Sequence, residues 1–272
     1  MTTTTEPPKR TGAAQGDLWS ERASDWAELL EPRMRPLFEA GLSALGVDSK
    51  TQLLDAGCGA GLALSIAVDH GARVSGLDAA PGLIEIARRR VPQARIERGD
   101  IEELPFADES FDALSGFNSF QYAASPEGAL REARRVLRPG GRLVAAVWSP
   151  PEMCELAAYL AAIGRLLPPP PPGAPGPFAL SDEGALASLL ARAGLEPGET
   201  RDVVCRFDYA DDDDAVRALI SAGPAVRAVR HAGAEATAKA LLDALAPYRQ
   251  ADGGYRISSA FRFTVATRPL AR

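Results

Sequence analysis

Leu-Leu-Asp-Ala-Gly-Cys-Gly-Ala-Gly, residues 53 to 61, is the stretch of this 272-residue chain that decides its fold. It begins as a short apolar strand, and an apolar helical segment starts at Leu62. Glycine occupies positions 57, 59 and 61, so the main chain can adopt positive φ and a ligand can approach it closely. The helix that follows should point its free N–H groups at that ligand. The stretch therefore predicts a ligand-binding turn between a strand and a helix.

A dinucleotide is the nearest alternative ligand, because its fingerprint is also a glycine-rich turn between a strand and a helix. That fingerprint is Gly-x-Gly-x-x-Gly, and its third glycine would fall here at Leu62 or Leu64. Asp55 would also place a carboxylate near two phosphate charges. A cation, such as the sulfonium of S-adenosylmethionine, would be attracted by the same carboxylate. The turn therefore favours a cationic ligand.

Four further motifs follow the glycine turn in order. A second apolar strand ends in Asp78, Gly99-Asp100-Ile101 comes next, a strand over 111–116 leads into Phe117-Asn118-Ser119-Phe120, and a Pro-Gly-Gly turn at 139–141 precedes another strand. Together the five motifs resemble the class I S-adenosylmethionine-dependent methyltransferases over roughly residues 53 to 148. Strand and helix patterns also alternate up to Trp148, which is typical of a doubly wound α/β fold. The expected fold is a Rossmann-like, mostly parallel sheet of seven strands.

The resemblance implies S-adenosylmethionine as the cofactor and assigns residues to it. The carboxylate of Asp78 would accept hydrogen bonds from both ribose hydroxyls. Asp100 would bind the adenine amino group, and Ile101 would pack on the adenine ring. The full set of expected cofactor-binding residues is Asp55, Gly57, Gly59, Gly61, Asp78, Ala79, Asp100, Ile101 and Asn118.

The methyl acceptor is expected to bind among aromatic side chains. Candidates are Trp26, Phe117, Phe120, Tyr122 and Trp148, with Trp19 beside Trp26 on the N-terminal segment. An Asp/Asn-Pro-Pro-Tyr motif, which the resembled enzymes that methylate nucleic-acid bases carry, is absent because Ser119 and Phe120 follow Asn118. Whether a general base is needed depends on the acceptor, since a phenol must lose a proton and a neutral amine need not. Of the two histidines, His70 suits a helix end and His231 a helix end or a base.

Composition narrows the partners of the chain. Its net charge of −6 argues against nonspecific binding to nucleic acid, which depends on many Lys and Arg contacts to phosphate. The sequence contains no run of eighteen apolar residues that could span a membrane. Its first residues also lack the apolar stretch of a signal peptide. Three widely separated cysteines suggest neither a zinc site nor a disulfide framework. We expect a cytoplasmic, bacterial enzyme that acts on a small molecule, without a metal, and a homodimer is left open.

The chain is expected to divide into a disordered tail over 1–16 and a methyltransferase domain over 17–272. Within the domain, 17–46 would form a helical N-terminal flap. Residues 211–250, between strands six and seven, would form a helical lid insertion that covers the acceptor. The acidic run at 211–214 is interpreted as a helix cap because it lacks the spacing of a calcium loop.

The expected function is methylation of oxygen, nitrogen or carbon on a small organic acceptor in secondary or quinone-type metabolism. Two other classes stay open. A fold relative that binds the cofactor without transferring methyl would be a cyclase or a regulatory module, and a nucleotide-dependent dehydrogenase would bind NAD instead. Binding of S-adenosylmethionine against NAD, and release of S-adenosylhomocysteine, distinguish the three.

Overall fold

A computed structural model describes residues 10–170 and 176–270, and within these ranges seven strands form one sheet in the order β3-β2-β1-β4-β5-β7-β6. Strands β1 to β5 run parallel, and β7 runs antiparallel to both β5 and β6. The predicted seven-stranded, mostly parallel sheet is therefore confirmed. The strands are β1 (Gln52–Ala56), β2 (Arg73–Asp78), β3 (Arg95–Arg98), β4 (Phe111–Phe117), β5 (Leu137–Trp148), β6 (Glu196–Tyr209) and β7 (Tyr255–Thr267).

Helices cover both faces of the sheet and form the segments that lead into it. They are α1 (Gly12–Ser20), α2 (Ala23–Asp25), α3 (Arg35–Leu45), α4 (Leu62–Asp69), α5 (Pro81–Arg90), α6 (Pro126–Val136), α7 (Ala157–Arg165), α8 (Ala185–Arg192), α9 (Asp212–Leu219), α10 (Gly223–Ala232) and α11 (Ala234–Leu245). A π-helical turn, Trp26–Leu30, and a 3-10 turn, Glu31–Met34, join α2 to α3. No helix in the described part of the chain has the length and apolar character needed to cross a membrane.

The order in which strands are added to the sheet reverses at β1, and this reversal determines where the site lies. From β1 the chain moves outward to β2 and β3, then returns to the other side of β1 as β4. Such a switch leaves a crevice outside the carboxyl ends of the central strands. The glycine turn follows β1, Asp78 ends β2, Asp100 follows β3 and Asn118 follows β4, so all four lie at this edge.

The N-terminal segment is more ordered than the sequence suggested. Residues 12–16, predicted to be part of a disordered tail, lie in α1. Their main chain packs against the β-strand ends, since Gly16 is buried and lies against Ala79. The tail prediction is wrong for these residues, and residues 1–9 lie outside the described ranges.

The insertion over 211–250 folds into helices as predicted, and Asp211 caps α9 by accepting a hydrogen bond from the main-chain N–H of Asp214 at 2.9 Å. It is part of the main core, however. Val226, Leu241 and Leu245 are fully buried, and α11 packs against α7. Burial of such side chains stabilises a fold by about 1.5 to 3 kcal/mol each. The insertion is therefore a layer of the domain and not a detachable lid.

Candidate cofactor and acceptor site

A single cleft brings most of the predicted site residues together at the carboxyl edge of the sheet, beneath α1 and the Trp26–Leu30 turn. Its walls come from the N-terminal segment and from the loops after β1, β2, β3 and β4. The lining residues are Thr11, Gly12, Gln15, Trp19, Trp26, Met34, Gly57, Gly59, Asp78, Ala79, Leu83, Gly99, Asp100, Ile101, Phe117, Asn118, Ser119, Tyr122 and Ala123.

The glycine turn has the backbone that its sequence predicted. Gly57, Gly59 and Gly61 all have positive φ, at +83°, +53° and +83°. A Cβ at Gly57 would collide with Ser119, whereas a Cβ at Gly59 would meet nothing closer than 3.4 Å and would stand beside the cleft that Gly59 lines. Gly61 begins α4 and does not line the cleft. Gly57 therefore serves close packing, and Gly59 leaves room for a ligand.

Asp78 is held at the cleft by main-chain donors. Its Oδ2 accepts a hydrogen bond from Gly59 N at 2.9 Å, and its Oδ1 accepts one from Ala80 N at 2.8 Å. Burial raises the pKa of this carboxyl, although the main-chain N–H groups oppose the effect. Each oxygen keeps a further lone pair for a ligand hydroxyl, so the geometry suits the predicted ribose contact.

Asp100 links the strand ends to the N-terminal segment. Its Oδ2 accepts a hydrogen bond from Gly12 N at 3.0 Å and its Oδ1 accepts one from Glu102 N at 2.9 Å. The hydroxyl of Thr11 donates to the carbonyl of Tyr122 at 2.6 Å. These contacts close α1 over the end of the cleft where Ile101 also lies, which is where adenine was predicted.

Asp55 does not line the cleft, contrary to the idea of direct contact with a sulfonium. It is 2% exposed and accepts a hydrogen bond from Ser115 Oγ at 2.7 Å. Burial, more than the nearby charges of Asp78 and Glu31, raises the pKa of Asp55 from 3.8 to about 7. Its carboxyl lies behind the glycine turn and connects β1 to β4.

The raised pKa of Asp55 gives a testable pH dependence of stability. Between about pH 4 and pH 7 the folded protein holds a proton that the unfolded chain has released, so the stabilisation from this group is lost progressively as pH rises from about 4 through 7. We expect the free energy of unfolding in urea to fall more steeply from pH 5 to pH 8 for the wild type than for Asp55→Asn. Parallel pH profiles for the two proteins would contradict the assignment.

Glu31 holds the glycine turn in place, and the sequence had not pointed to it. It comes from the N-terminal flap, is 3% exposed, and its Oε1 accepts hydrogen bonds from Ala60 N at 3.1 Å and Leu62 N at 3.4 Å. Its Oε2 pairs with Arg90, which also donates to the carbonyl of Ala60 at 2.8 Å. Leu62 N, the first N–H of α4, was predicted to face the ligand and donates to this carboxylate instead.

Aromatic side chains form the other half of the cleft. Trp26, Phe117 and Tyr122 line it as predicted, and Asn118 turns the chain there with φ of +52°. Phe120 and Trp148 do not line it. Phe120 is 2% exposed in the core beneath α6, and Trp148 stacks on Phe261 with ring centroids 4.5 Å apart. Their proposed contact with an acceptor is not supported by the structure, because packing against the sheet turns both away from the cleft.

The cleft also contains residues that the sequence analysis did not assign. Thr11, Gly12 and Gln15 were placed in the tail, so their contribution could not be foreseen. Neither histidine lines the cleft, and no residue of 211–250 does. The insertion contributes indirectly, since Gly223 at the start of α10 lies against the ring of Trp19.

Comparison with known proteins agrees with this geometry. Residues 54–145, which run from the glycine turn through most of β5, match the family model described as a methyltransferase domain. Over this segment the chain is similar to methyltransferase domains, in agreement with the five motifs of its sequence.

Individual relatives match this chain over part of their length. The chain is 45% identical over 109 residues to an uncharacterized 37.1 kDa protein in a transposon of Streptomyces fradiae. This match covers 38% of this chain and 32% of that protein. It is 35% identical over 134 residues to a demethylmenaquinone methyltransferase of Tropheryma whipplei. This match covers 47% of this chain and 55% of that enzyme. The matches therefore span about a third to a half of these relatives.

The methyltransferase fold extends beyond the matched segment. The crystal structure of the cyclase SpnF has a TM-score of 0.57 to this chain, with 22% identity, and covers 86% of this chain and 81% of SpnF. This likeness establishes the fold alone.

The cleft of the methyltransferase domain offers polar atoms that lack partners. Trp26 Nε1 and Ser119 Oγ are buried, line the cleft and make no hydrogen bond within the described residues. A buried polar atom left without a partner costs about 1 to 3 kcal/mol. Both atoms lie beside the glycine turn, because Trp26 Nε1 lies 3.6 Å from a Cβ built at Gly59 and Ser119 lies against Gly57. They fit a cofactor whose amino and carboxylate groups would supply the missing partners.

Proposed function

We propose that this chain transfers a methyl group from S-adenosylmethionine to a small organic acceptor. The observation that carries the proposal is the placement of Asp78, Asp100 and the glycine turn on one wall of a cleft whose other wall is aromatic. Bound S-adenosylmethionine supplies an electrophilic methyl group on a positively charged sulfur. Residues of this chain would hold it, exclude water and orient the acceptor.

Each wall has a separate role in this proposal. Asp78 would accept the ribose hydroxyls, Asp100 the adenine amino group, and Gly59 would admit the cofactor close to the main chain. The aromatic residues Trp26, Phe117 and Tyr122 would contact the acceptor. One relative is a demethylmenaquinone methyltransferase, and the cleft of this chain would fit small metabolites other than quinones as well.

The partners and location that we propose follow from the same cleft and from composition. The acceptor is a small molecule, and neither nucleic acid nor a membrane is required. The chain would act in the cytoplasm of a bacterium, alone or as a homodimer.

The direct test combines calorimetric binding with a turnover screen. Purified protein is titrated with S-adenosylmethionine and with NAD, and is then incubated with methyl-labelled cofactor and a panel of small acceptors while S-adenosylhomocysteine is measured. We expect micromolar binding of S-adenosylmethionine and product formation with at least one acceptor. Cofactor binding without product across the panel would favour the cyclase or regulatory alternative, and binding of NAD alone would refute both.

Asp78→Ala should weaken S-adenosylmethionine binding more than tenfold. The variant loses two charge-assisted hydrogen bonds to ribose, which are worth about 2 to 4 kcal/mol together. It also frees Gly59 N, so thermal unfolding must show that the variant remains folded. Asp243→Ala, which removes an exposed carboxylate on α11 paired with Lys239, is the matched control. Unchanged affinity in folded Asp78→Ala would remove Asp78 from the ribose site.

A further inference from the structure

The ring of Trp19 contacts the rings of both Trp26 and Tyr122 at the cleft. The ring of Trp19 lies 4.8 Å from that of Trp26, at an interplanar angle of 82°, and 5.8 Å from that of Tyr122, at 74°. All three residues line the cleft. Rings at right angles to one another turn their faces in different directions, and aromatic faces attract cations.

The charges of the cleft have one sign. Within the described ranges, the residues that line it include no Lys, Arg or His, and its only charged groups are Asp78 and Asp100. An anionic acceptor would therefore meet aromatic rings and carboxylates and no counter-charge from the described residues of the protein. A cationic product would meet a favourable environment throughout.

The described residues that line the cleft also include no group suited to remove a proton from the acceptor. Both carboxylates already accept main-chain hydrogen bonds, and the proposed function assigns Asp78 to the ribose and Asp100 to the adenine amino group. Among the described lining residues, the remaining side chain that can lose a proton is Tyr122, and burial raises its pKa to about 12, so its hydroxyl stays protonated near neutral pH. A phenol or carbon acid, which must be deprotonated to attack, would find no base beside it.

We propose that the acceptor is an amine and that Trp19, Trp26 and Tyr122 enclose the nitrogen that becomes charged. This inference rests on the proposed methyltransferase function. The lone pair of a neutral amine nitrogen forms the new N–C bond to the methyl carbon, and the C–S bond breaks with its electron pair remaining on sulfur. The positive charge passes from sulfur to nitrogen, and a primary or secondary amine then releases one proton to water. No base, metal or oxidant is needed.

Trp19 is held in this arrangement by the insertion. A Cβ built at Gly223 would lie 2.6 Å from Trp19 Nε1 and 2.7 Å from its Cε2, so only glycine allows α10 to approach the indole so closely. Gly223 has an ordinary backbone conformation, because its φ is not positive. The insertion would thus affect acceptor recognition through one packed ring and leave the cofactor wall unchanged.

The test compares two molecules of the same shape that differ in charge. Benzyltrimethylammonium imitates a methylated amine, and neopentylbenzene is its neutral isostere. Calorimetric titration of the protein, saturated with S-adenosylhomocysteine, should show at least tenfold tighter binding of the cation. The preference should fall several-fold in Trp19→Leu and persist in Trp19→Phe, which keeps an aromatic face. Gly223→Ala should also reduce it, whereas Gly164→Ala, on an open face of α7, should not.

Turnover provides the second measurement, with N-methylbenzylamine and 4-ethylphenol as paired acceptors. We expect S-adenosylhomocysteine to form at least tenfold faster with the amine. Equal binding of the cation and its isostere, or faster turnover of the phenol, would overturn the amine proposal and leave the methyltransferase function standing. Failure to bind S-adenosylmethionine at all would instead refute the proposed function. If neither acceptor turns over, the binding comparison decides.

Discussion

Gly59→Val should abolish measurable binding of S-adenosylmethionine while the protein still folds. The main chain at Gly59 has φ of +53°, where a β-branched residue costs about 1 to 3 kcal/mol. A Cβ can be accommodated, because its nearest neighbours would be Glu31 Oε1 at 3.4 Å and Trp26 Nε1 at 3.6 Å. The γ-methyl groups, however, would extend into the cleft where the cofactor is expected. Calorimetric titration at millimolar cofactor measures the loss.

Gly184→Val separates backbone strain from the steric block. Gly184 has φ of +74°, and a Cβ there would meet no atom within 4 Å, so the substitution imposes similar strain far from the cleft. We expect it to lower the unfolding midpoint in urea by an amount comparable to Gly59→Val, with normal cofactor affinity. Normal cofactor affinity in folded Gly59→Val would show that the glycine turn does not contact the ligand.

The sheet and one wall of the cleft could be predicted because their signals are local in sequence. A glycine turn directly after an apolar strand lies at the carboxyl end of that strand. An acid such as Asp78 or Asp100 at the end of another parallel strand must lie at the same edge of the sheet. The order of these motifs also determines which strands are neighbours. Side-chain direction at and beyond a strand end is not determined in this way, which is why Trp148, at the end of β5, and Phe120, after β4, were assigned to the wrong surroundings.

The contacts made by the N-terminal segment could not be predicted, because each joins residues far apart in the chain. Gly12 N meets Asp100, 88 positions away, and Glu31 meets Ala60, 29 positions away. Locally, residues 10–16 are polar and rich in small residues, which is typical of a mobile tail. Their order comes from the strand ends against which they pack. The same reason hid the role of Gly223, whose only signal is the absence of a side chain.

Glu31→Ala should have the largest combined effect on stability and cofactor binding. The carboxylate is buried against Arg90, which is itself about a quarter exposed, and its removal leaves that guanidinium without its partner and the N–H groups of Ala60 and Leu62 without an acceptor. Removing one partner of a buried ion pair lowers the free energy of unfolding by about 3 kcal/mol. We expect a lower unfolding midpoint in urea and an S-adenosylmethionine affinity reduced more than tenfold, because the turn that bears Gly59 loses its support.

Two variants distinguish support of the turn from general destabilisation. Glu31→Gln keeps an amide oxygen that can accept from Ala60 N, so it should bind S-adenosylmethionine within a few-fold of wild type although it loses stability with the charge. Glu85→Ala breaks the exposed pair with Arg89, where both side chains are more than half exposed, and should change stability by less than about 0.5 kcal/mol. If Glu31→Gln and Glu31→Ala lose affinity equally, charge and not the hydrogen-bond acceptor orders the turn. If folded Glu31→Ala binds the cofactor normally, Glu31 only attaches the N-terminal flap, and Asp78 alone would hold Gly59 in its ligand-binding position.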